Sequence, residues 1–509
     1  MAAIETPERA EPTGEAPVES PDVLIVGAGF AGVGMAIRML GEGFTDFLVI
    51  ERADEVGGTW RENTYPGCAC DIPSRVYSLS FAQNPEWSTG YPRQEEIWDY
   101  LRSLIDERGV RPHLRLGHEL LDARWSEESG RWAVETSRGE ISARVLIAGM
   151  GPLTDPAIPD LPGLDRFEGA VFHTAEWDAD HDLSGERVAV IGTGASAIQV
   201  VPEIQPVVER LSVFQRTAPW IMPRVDREVG EAEKRVYRTF PFVQRALRAL
   251  HYLLLESRGF PFFIAPKSFP LFERIARRHL ARQVPDPELR AKLTPDYTMG
   301  CKRVLGSSTY YPALQEPNAE LVTDPIAEVR ERSIVTADGA ERALDTIIFG
   351  TGFEIVDLPL GRVIRDREGR RLSDVWDGAP EAYKGTAVAG CPNLFTLLGP
   401  NVGLGHNSVI HMIESQISYV LDALRQMRER RLAVVEVRPE AQAAYNERIQ
   451  AEFEDTVWLT GCRSWYMNED GRVLALWPAS TLRFRAELAR FDLAAYEARA
   501  ASPREPVAA

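Results

Sequence analysis

The sequence predicts an α/β fold with two Rossmann-like dinucleotide-binding domains and a helical insertion in the second of them. Two observations carry most of that prediction. A glycine-rich loop, Gly27-Ala-Gly29-Phe-Ala-Gly32, joins an apolar strand to an apolar-periodic helix, and the arrangement recurs at Gly192-Thr-Gly194-Ala-Ser-Ala197. The third observation is a change of texture over residues 226–295, where apolar residues recur at helical spacing between arginines.

In the first unit, Val23-Leu-Ile-Val26 reads as a buried parallel strand, and a helix through Val33, Ile37 and Leu40 follows, stopped by Gly41 and Gly43. A second strand, Phe47–Ile50, ends at Glu51. Gly27 permits the tight turn, Gly29 lets a pyrophosphate approach the backbone, and Gly32 lets helix and strand pack closely. Glu51 lies 19 residues after Gly32, where an acid can accept hydrogen bonds from ribose hydroxyls. The Gly57-Gly-Thr59-Trp60 turn that follows suits an FAD site, because small residues let backbone amides approach a flavin ring.

The second unit repeats the plan with Val188–Ile191, a helix bearing Ile198, Val201 and Ile204, and the strand Leu211–Phe214. It ends in Gln215-Arg216-Thr217, and Arg216 stands 19 residues after Ala197, matching Glu51 with the opposite charge. An acid there would repel a 2′-phosphate while an arginine can clamp it, so the second nucleotide is expected to be NADPH. Two small-residue turns, Gly149-Met-Gly151 and Gly350-Thr-Gly352, resemble the points where the chain of flavin-dependent monooxygenases crosses between its FAD and NADP domains. The expected organisation is an FAD domain over 21–150 and 350–500, an NADP domain over 151–225 and 296–349, the insertion over 226–295, and tails at 1–20 and 501–509. Within the insertion, Phe240, Val243, Leu247, Leu250 and Leu254 form a stripe expected to pack on the core, with a surface for membranes or apolar substrates as the alternative. An apolar helix is expected over 409–424.

The bulk numbers narrow the function classes. A net charge of −18 argues against a nucleic-acid partner. No apolar run approaches the roughly 18 residues a membrane span needs. Residues 1–20 carry five glutamates and three prolines and read as a tail. Five cysteines, few and odd in number, imply no disulfide framework and suit a reducing cytoplasm. Cys68 and Cys70 have no second Cys/His cluster at zinc spacing, so no metal site is expected.

Between the loops lies Phe167-Glu-Gly-Ala-Val-Phe-His173-Thr-Ala-Glu-Trp177-Asp178. This F-x-G-x-x-x-H-x-x-x-W-D pattern resembles the fingerprint of the Baeyer–Villiger monooxygenases, flavoenzymes that insert one atom of O2 beside a ketone carbonyl. Tyr65-Pro-Gly67-Cys-Ala-Cys70-Asp71, Lys302-Arg303 and Ser464-Trp465-Tyr466 resemble further segments of that family, and the likeness spans about 20–500. The resemblance implies a ketone substrate, O2, FAD and NADPH. It implies that Arg303 stabilises the flavin peroxide and the tetrahedral Criegee intermediate, that Asp71 orients Arg303, and that His173 couples NADP binding to domain movement. FAD would be held by Gly27, Gly29, Gly32, Glu51, Thr59, Trp60, Asp71 and Tyr77. NADP would be held by Gly192, Thr193, Gly194, Ser196, Arg216, Thr217, Lys302 and Trp465, with Ser196 standing in because position 195 is alanine. The Gly461-Cys-Arg-Ser-Trp465 version departs from the cyclohexanone-type enzymes and leaves the substrate pocket open; a bulky or polycyclic ketone rather than a small ring is expected. Two other readings stay open: an N- or S-hydroxylating flavin monooxygenase, and a flavin disulfide reductase using Cys68 and Cys70.

Overall fold

The computed structural model describes residues 18–263, 269–355 and 357–501. Two five-stranded parallel sheets organise it. The first has the order Leu394–Thr396, Val145–Ala148, Val23–Val26, Phe47–Glu51, Leu114–Leu116. The second has the order Ala319–Val322, Arg210–Phe214, Arg187–Ile191, Thr346–Phe349, Ala170–His173. In each, the strand that feeds the glycine loop is central and the chain order reverses beside it. A crevice opens there at the carboxyl ends of the strands, the place where such sheets bind ligands. The central strands are buried on both faces, which is why their sequences run apolar without alternation. The first sheet is discontinuous in sequence, since Leu394–Thr396 returns to it after the second sheet is complete.

Each sheet meets a crossing of the chain in the same way. Gly27 has φ +96° and a Cβ there would lie 2.6 Å from the Gly149 carbonyl oxygen. Gly192, at φ +114°, stands in the same relation to the Gly350 carbonyl oxygen. Past these points the two crossings run side by side. Ala157 donates its N–H to the Gly352 carbonyl and Glu354 to the Asp155 carbonyl, each at 2.9 Å, around a Pro156–Phe353 bridge.

Several sequence expectations need correction. The expected tails are mostly outside the described residues (1–17 and 502–509), but their inner ends are ordered. Arg115 binds Glu19 at 2.8 Å, Ser142 donates to the Glu19 carbonyl, and Ala501 donates its N–H to the Arg431 carbonyl at 2.8 Å. The late helix runs Val409–Arg430, further than its apolar stretch, because Ser408 caps its start and Arg431 adopts a left-handed turn at its end.

The insertion is helical, with helices at Glu231–Thr239, Pro241–Phe263, Phe269–Gln283 and Pro287–Lys292. Its apolar stripe does not face the core as expected: Phe240, Leu250 and Leu254 are about half exposed, while Gln244 and Arg248 are buried. Arg248 donates to the Val76 carbonyl at 2.9 Å and the Arg75 carbonyl at 3.2 Å. Those buried acceptors need a donor, and the aliphatic stem of an arginine can deliver one through an apolar layer. The largest correction concerns cysteine: Cys301 and Cys462, 161 residues apart, are joined by a disulfide, a tertiary pairing that composition cannot reveal. Among the described residues no helix is long and apolar enough to cross a membrane.

Candidate active site between two nucleotide crevices

In the first loop the three glycines do different work. A Cβ on Gly32 would collide with the Gly27 carbonyl oxygen, so this position carries the helix–strand approach. Beside Gly29 nothing lies closer than 3.7 Å, so backbone is open to a phosphate. Glu51 is buried. Its Oε2 accepts from Ala28 N–H at 2.8 Å and its Oε1 from Ala53 N–H at 3.1 Å, so it shapes the loop as well as offering its remaining lone pairs. Thr59 and Trp60 open the short helix Thr59–Glu62, and Trp60 Nε1 donates to the Tyr77 hydroxyl at 3.0 Å. Tyr77 is buried and its phenol is pushed well above its ordinary range by that burial. These residues form one wall of the first crevice, and their arrangement fits FAD.

The second loop repeats the pattern with one substitution. Gly194 is open, with the Gly350 carbonyl oxygen 3.6 Å from where a Cβ would be, and Ala197 packs against Gly350 in place of a third glycine. Thr193 Oγ1 donates to the Thr217 carbonyl at 3.1 Å, tying the loop to the end of the next strand. Ser196 sits at the start of the helix Ala197–Ile204 with its hydroxyl uncommitted to capping. Arg216 is exposed at the strand end, and Lys302 comes to it from far along the chain. Burial lowers the Lys302 pKa, the neighbouring Arg216 charge lowers it further, and Asp296 opposes. Among the described ion pairs no carboxylate claims Arg216 or Lys302. Two cations held together without an ion-pair contact to a carboxylate, beside an open glycine loop, fit a 2′-phosphate. Arg216→Ala is expected to raise the KM for NADPH by about 10- to 100-fold, the loss of one charge-assisted pair, and that for NADH by little. Equal effects on the two nucleotides would contradict phosphate recognition.

Asp71 and Arg303 pair between the two loops: Arg303 acts on Tyr77 of the first and adjoins Lys302, the neighbour of Arg216 in the second. The segment Tyr65–Asp71 leaves the first half and docks on the second nucleotide helix. Tyr65 donates its hydroxyl to Gln199 Oε1 at 2.8 Å, Gln199 Nε2 donates to the Ala69 carbonyl at 2.9 Å, and Gly67, at φ +79°, lets the backbones close. Arg303 follows a loop anchored by Trp220 Nε1, which donates to the Tyr297 carbonyl at 2.8 Å, and precedes the strand Leu305–Gly306. Its Nε (3.1 Å) and Nη2 (2.5 Å) both donate to Asp71 Oδ2 across 232 residues of sequence. The Asp71 carboxylate holds the Arg303 pKa well above the ordinary guanidinium range against the cost of burial, so the charge is fixed. About a third of each side chain remains exposed, leaving the other guanidinium edge free to face a ligand. The buried Tyr466 lies beside Arg303, and burial pushes its phenol up to about 12.

Two predicted residues are elsewhere. His173 is fully buried at the end of Ala170–His173, paired with Phe349, its ring against Phe353 and its Nδ1 accepting from Ala175 N–H at 3.1 Å. No described bond joins it to Asp71 or Arg303; it touches the crossing at Gly350–Phe353 instead. Trp465 is exposed and lies tilted against Tyr466, ring centroids 4.4 Å apart, without a described contact to Arg216 or Lys302. Sequence reasoning missed Gln199, although a lone amide on an otherwise apolar helix face was a legible signal. Burial pushes the Cys68 thiol up to about 12 and Cys70 well above its range, and both are unpaired. Neither suits the thiolate chemistry of a disulfide reductase.

The buried His173 has a pH consequence. Burial lowers its pKa to about 4, with the Gly352 backbone opposing, below the unfolded value of 6.5. The neutral ring is favoured by folding, so this stability is complete above pH 6.5 and is lost as pH falls toward 4. His411, pushed down to about 3, acts in the same sense. Unfolding free energies from urea titrations between pH 7 and 4.5 should fall less steeply for His173→Gln than for the parent, by up to about 1.4 kcal/mol per pH unit; parallel curves would refute this.

Two dinucleotide crevices that flank a fixed positive charge define a two-nucleotide flavoprotein oxidoreductase. Residues 24–232 match the family model described as pyridine nucleotide-disulphide oxidoreductase. Over 485 residues the chain is 49% identical to a Baeyer–Villiger monooxygenase of Streptomyces coelicolor, covering 95% of this chain and 93% of that one. A solved oxidised steroid monooxygenase bound to NADP aligns with a TM-score of 0.83 at 31% identity, over 95% of this chain and all of the other. OTEMO in complex with FAD and NADP aligns with the same TM-score at 28% identity, over 94% of this chain and all of the other. The chain belongs to the Baeyer–Villiger monooxygenases.

Proposed function

We infer that this Baeyer–Villiger monooxygenase, with FAD as its flavin and NADPH as its reductant, takes a bulky or cyclic ketone and O2 and gives an ester or lactone. The observation that carries the reading is the Asp71–Arg303 pair between the two crevices. Once bound and reduced, FAD supplies the electrons that activate O2. The chain's own part is electrostatic. Arg303 keeps its charge at every working pH and Asp71 fixes its plane, so one guanidinium edge is preorganised toward negative charge that develops on oxygen. Gly27, Gly29, Gly32, Glu51, Thr59, Trp60 and Tyr77 hold FAD. Gly192, Thr193, Gly194, Ser196 and Thr217 hold the NADP pyrophosphate and ribose, and Arg216 and Lys302 take its 2′-phosphate. His173, neutral near pH 7, serves as a positioning residue beside the chain crossing rather than as an acid or base. The steroid monooxygenase among its structural neighbours supports a large substrate. Three free cysteines suit a cytoplasmic setting.

Incubating the purified yellow protein with NADPH and a panel of ketones tests the reading. Products about 16 mass units heavier, with ester or lactone fragmentation, are expected. Oxygenation of amines or sulfides with no ester from any ketone would transfer the chain to the hydroxylating class.

A further inference from the structure

The Cys301–Cys462 disulfide lies at the active site. Cys301 is fully buried and adjoins Lys302 and Arg303; Cys462 is half-buried and precedes Trp465 by three residues. The bond therefore ties the loop that presents the fixed charge to a segment contributed by the chain's final return. That segment has little else to hold it. Residues 460–465 form neither helix nor strand, Gly461 sits at φ +99° with nothing within 4 Å of its Cβ position, and Arg463 and Trp465 are exposed. The Ser464 hydroxyl is buried without a partner. Among the described hydrogen bonds and ion pairs, none carries residues 461–465 to a distant part of the chain except through Cys301.

We propose that Cys301–Cys462 is a reversible positioning cross-link: closed, it holds Gly461–Trp465 against the Arg303 loop; opened by a small or protein dithiol, it releases that segment as far as the buried Tyr466. The exchange balances. A reductant thiolate attacks the Cys462 sulfur, the more accessible of the two, the S–S bond breaks, and Cys301 leaves as a thiolate beside Lys302 and Arg303 and takes up a proton. The second thiol of the reductant displaces Cys462 as a thiol and the reductant becomes a disulfide, two electrons having passed to the enzyme. A disulfide in a reducing compartment is characteristically transient rather than structural, and this one sits where release has a catalytic consequence. The consequence for oxygen transfer rests on the oxygenase reading above; the bond and the tether do not.

The test uses the holoenzyme after treatment with diamide or with dithiothreitol. Alkylation and mass spectrometry report the bond, trypsin cleavage at Arg463 reports the tether, and product formed per NADPH consumed reports coupling. Reduction is expected to speed cleavage about tenfold or more and to lower coupling about threefold or more. The rate of flavin bleaching by NADPH without O2 should change by less than about twofold. Cys462→Ala is expected to behave as the reduced enzyme does and to ignore dithiothreitol. Because Cys301 is buried, Cys301→Ser serves only as a second variant if its flavin absorbance shows that it folds. Alkylation of both thiols in the diamide-treated enzyme would overturn the proposal. So would identical cleavage in the two states, or faster cleavage with unchanged coupling. Absence of oxygenated product in both states would instead overturn the oxygenase reading, while the cleavage arm would still decide the tether.

Discussion

Arg303→Ala is expected to remove ester formation almost completely while leaving reduction of the flavin by NADPH intact. The argument is one of position and charge. Arg303 lies between the two nucleotide loops, its charge is fixed by Asp71, and one guanidinium edge is uncommitted. Hydride transfer between two bound cofactors does not require that edge. Stabilising negative charge on an oxygen beside a ketone does, and removing one preorganised donor of this kind costs on the order of 100- to 1000-fold in rate. NADPH would continue to be consumed, with hydrogen peroxide replacing ester. Arg303→Lys should recover part of the coupling, because it keeps the charge but cannot give two N–H bonds to one carboxylate oxygen. Asp71→Ala should fall between the two, since the guanidinium survives but is no longer aimed. Stopped-flow spectroscopy with product analysis checks all three, and an Arg303→Ala enzyme that forms ester at the parent yield would end the assignment.

Gly32→Ala is expected to give colourless, poorly folded protein, whereas Gly29→Ala is expected to fold and bind FAD weakly. The loop pattern assigns the two positions different roles, and the structure bears the difference out. A Cβ at Gly32 meets the Gly27 carbonyl oxygen, which belongs to rigid backbone, so strand and helix must separate; overpacking of this sort costs about 1–3 kcal/mol and here falls on the loop that shapes the site. A Cβ at Gly29 has 3.7 Å to its nearest neighbour and its φ of −82° is ordinary, so the protein accepts it. The methyl group instead occupies space that the pyrophosphate uses. Thermal melts of apoprotein and the flavin-to-protein absorbance ratio separate the outcomes. Equal loss of stability in both variants would refute the division of labour.

The two nucleotide units were legible because their signals are local: an apolar run, spaced glycines (with alanine in third place in the second unit), a periodic helix and a charge at a fixed interval. The opposite charges of Glu51 and Arg216 were readable by counting alone. Asp71 and Arg303 were visible only through family likeness, since 232 residues separate them and neither is unusual by itself. Their meeting depends on Tyr65, Gly67 and Gln199 docking one half on the other, which is tertiary information. Lys302 drawing up to Arg216 is of the same kind. The helical insertion misled because helical periodicity reports that a face is apolar, not what covers it, and the buried side belongs in part to Gln244 and Arg248. The disulfide left no trace in the cysteine count, because few and odd cysteines say nothing of a single bond.

The paired crossings carry a mechanical consequence. Two bodies joined by one flexible thread can tumble freely, but the threads here run antiparallel and are laced by Ala157–Gly352 and Asp155–Glu354 hydrogen bonds. A laced pair resists twisting and stretching and yields to bending, so the halves can swing about a single axis lying along the ladder. Its ends are seated on Gly149 and Gly350, whose carbonyls touch the first glycine of each loop. The pivot therefore lies next to both phosphate sites, where a given swing moves atoms least. Any swing about that axis would grow with distance from it, moving the nucleotide anchors least and the far rim of the cleft most.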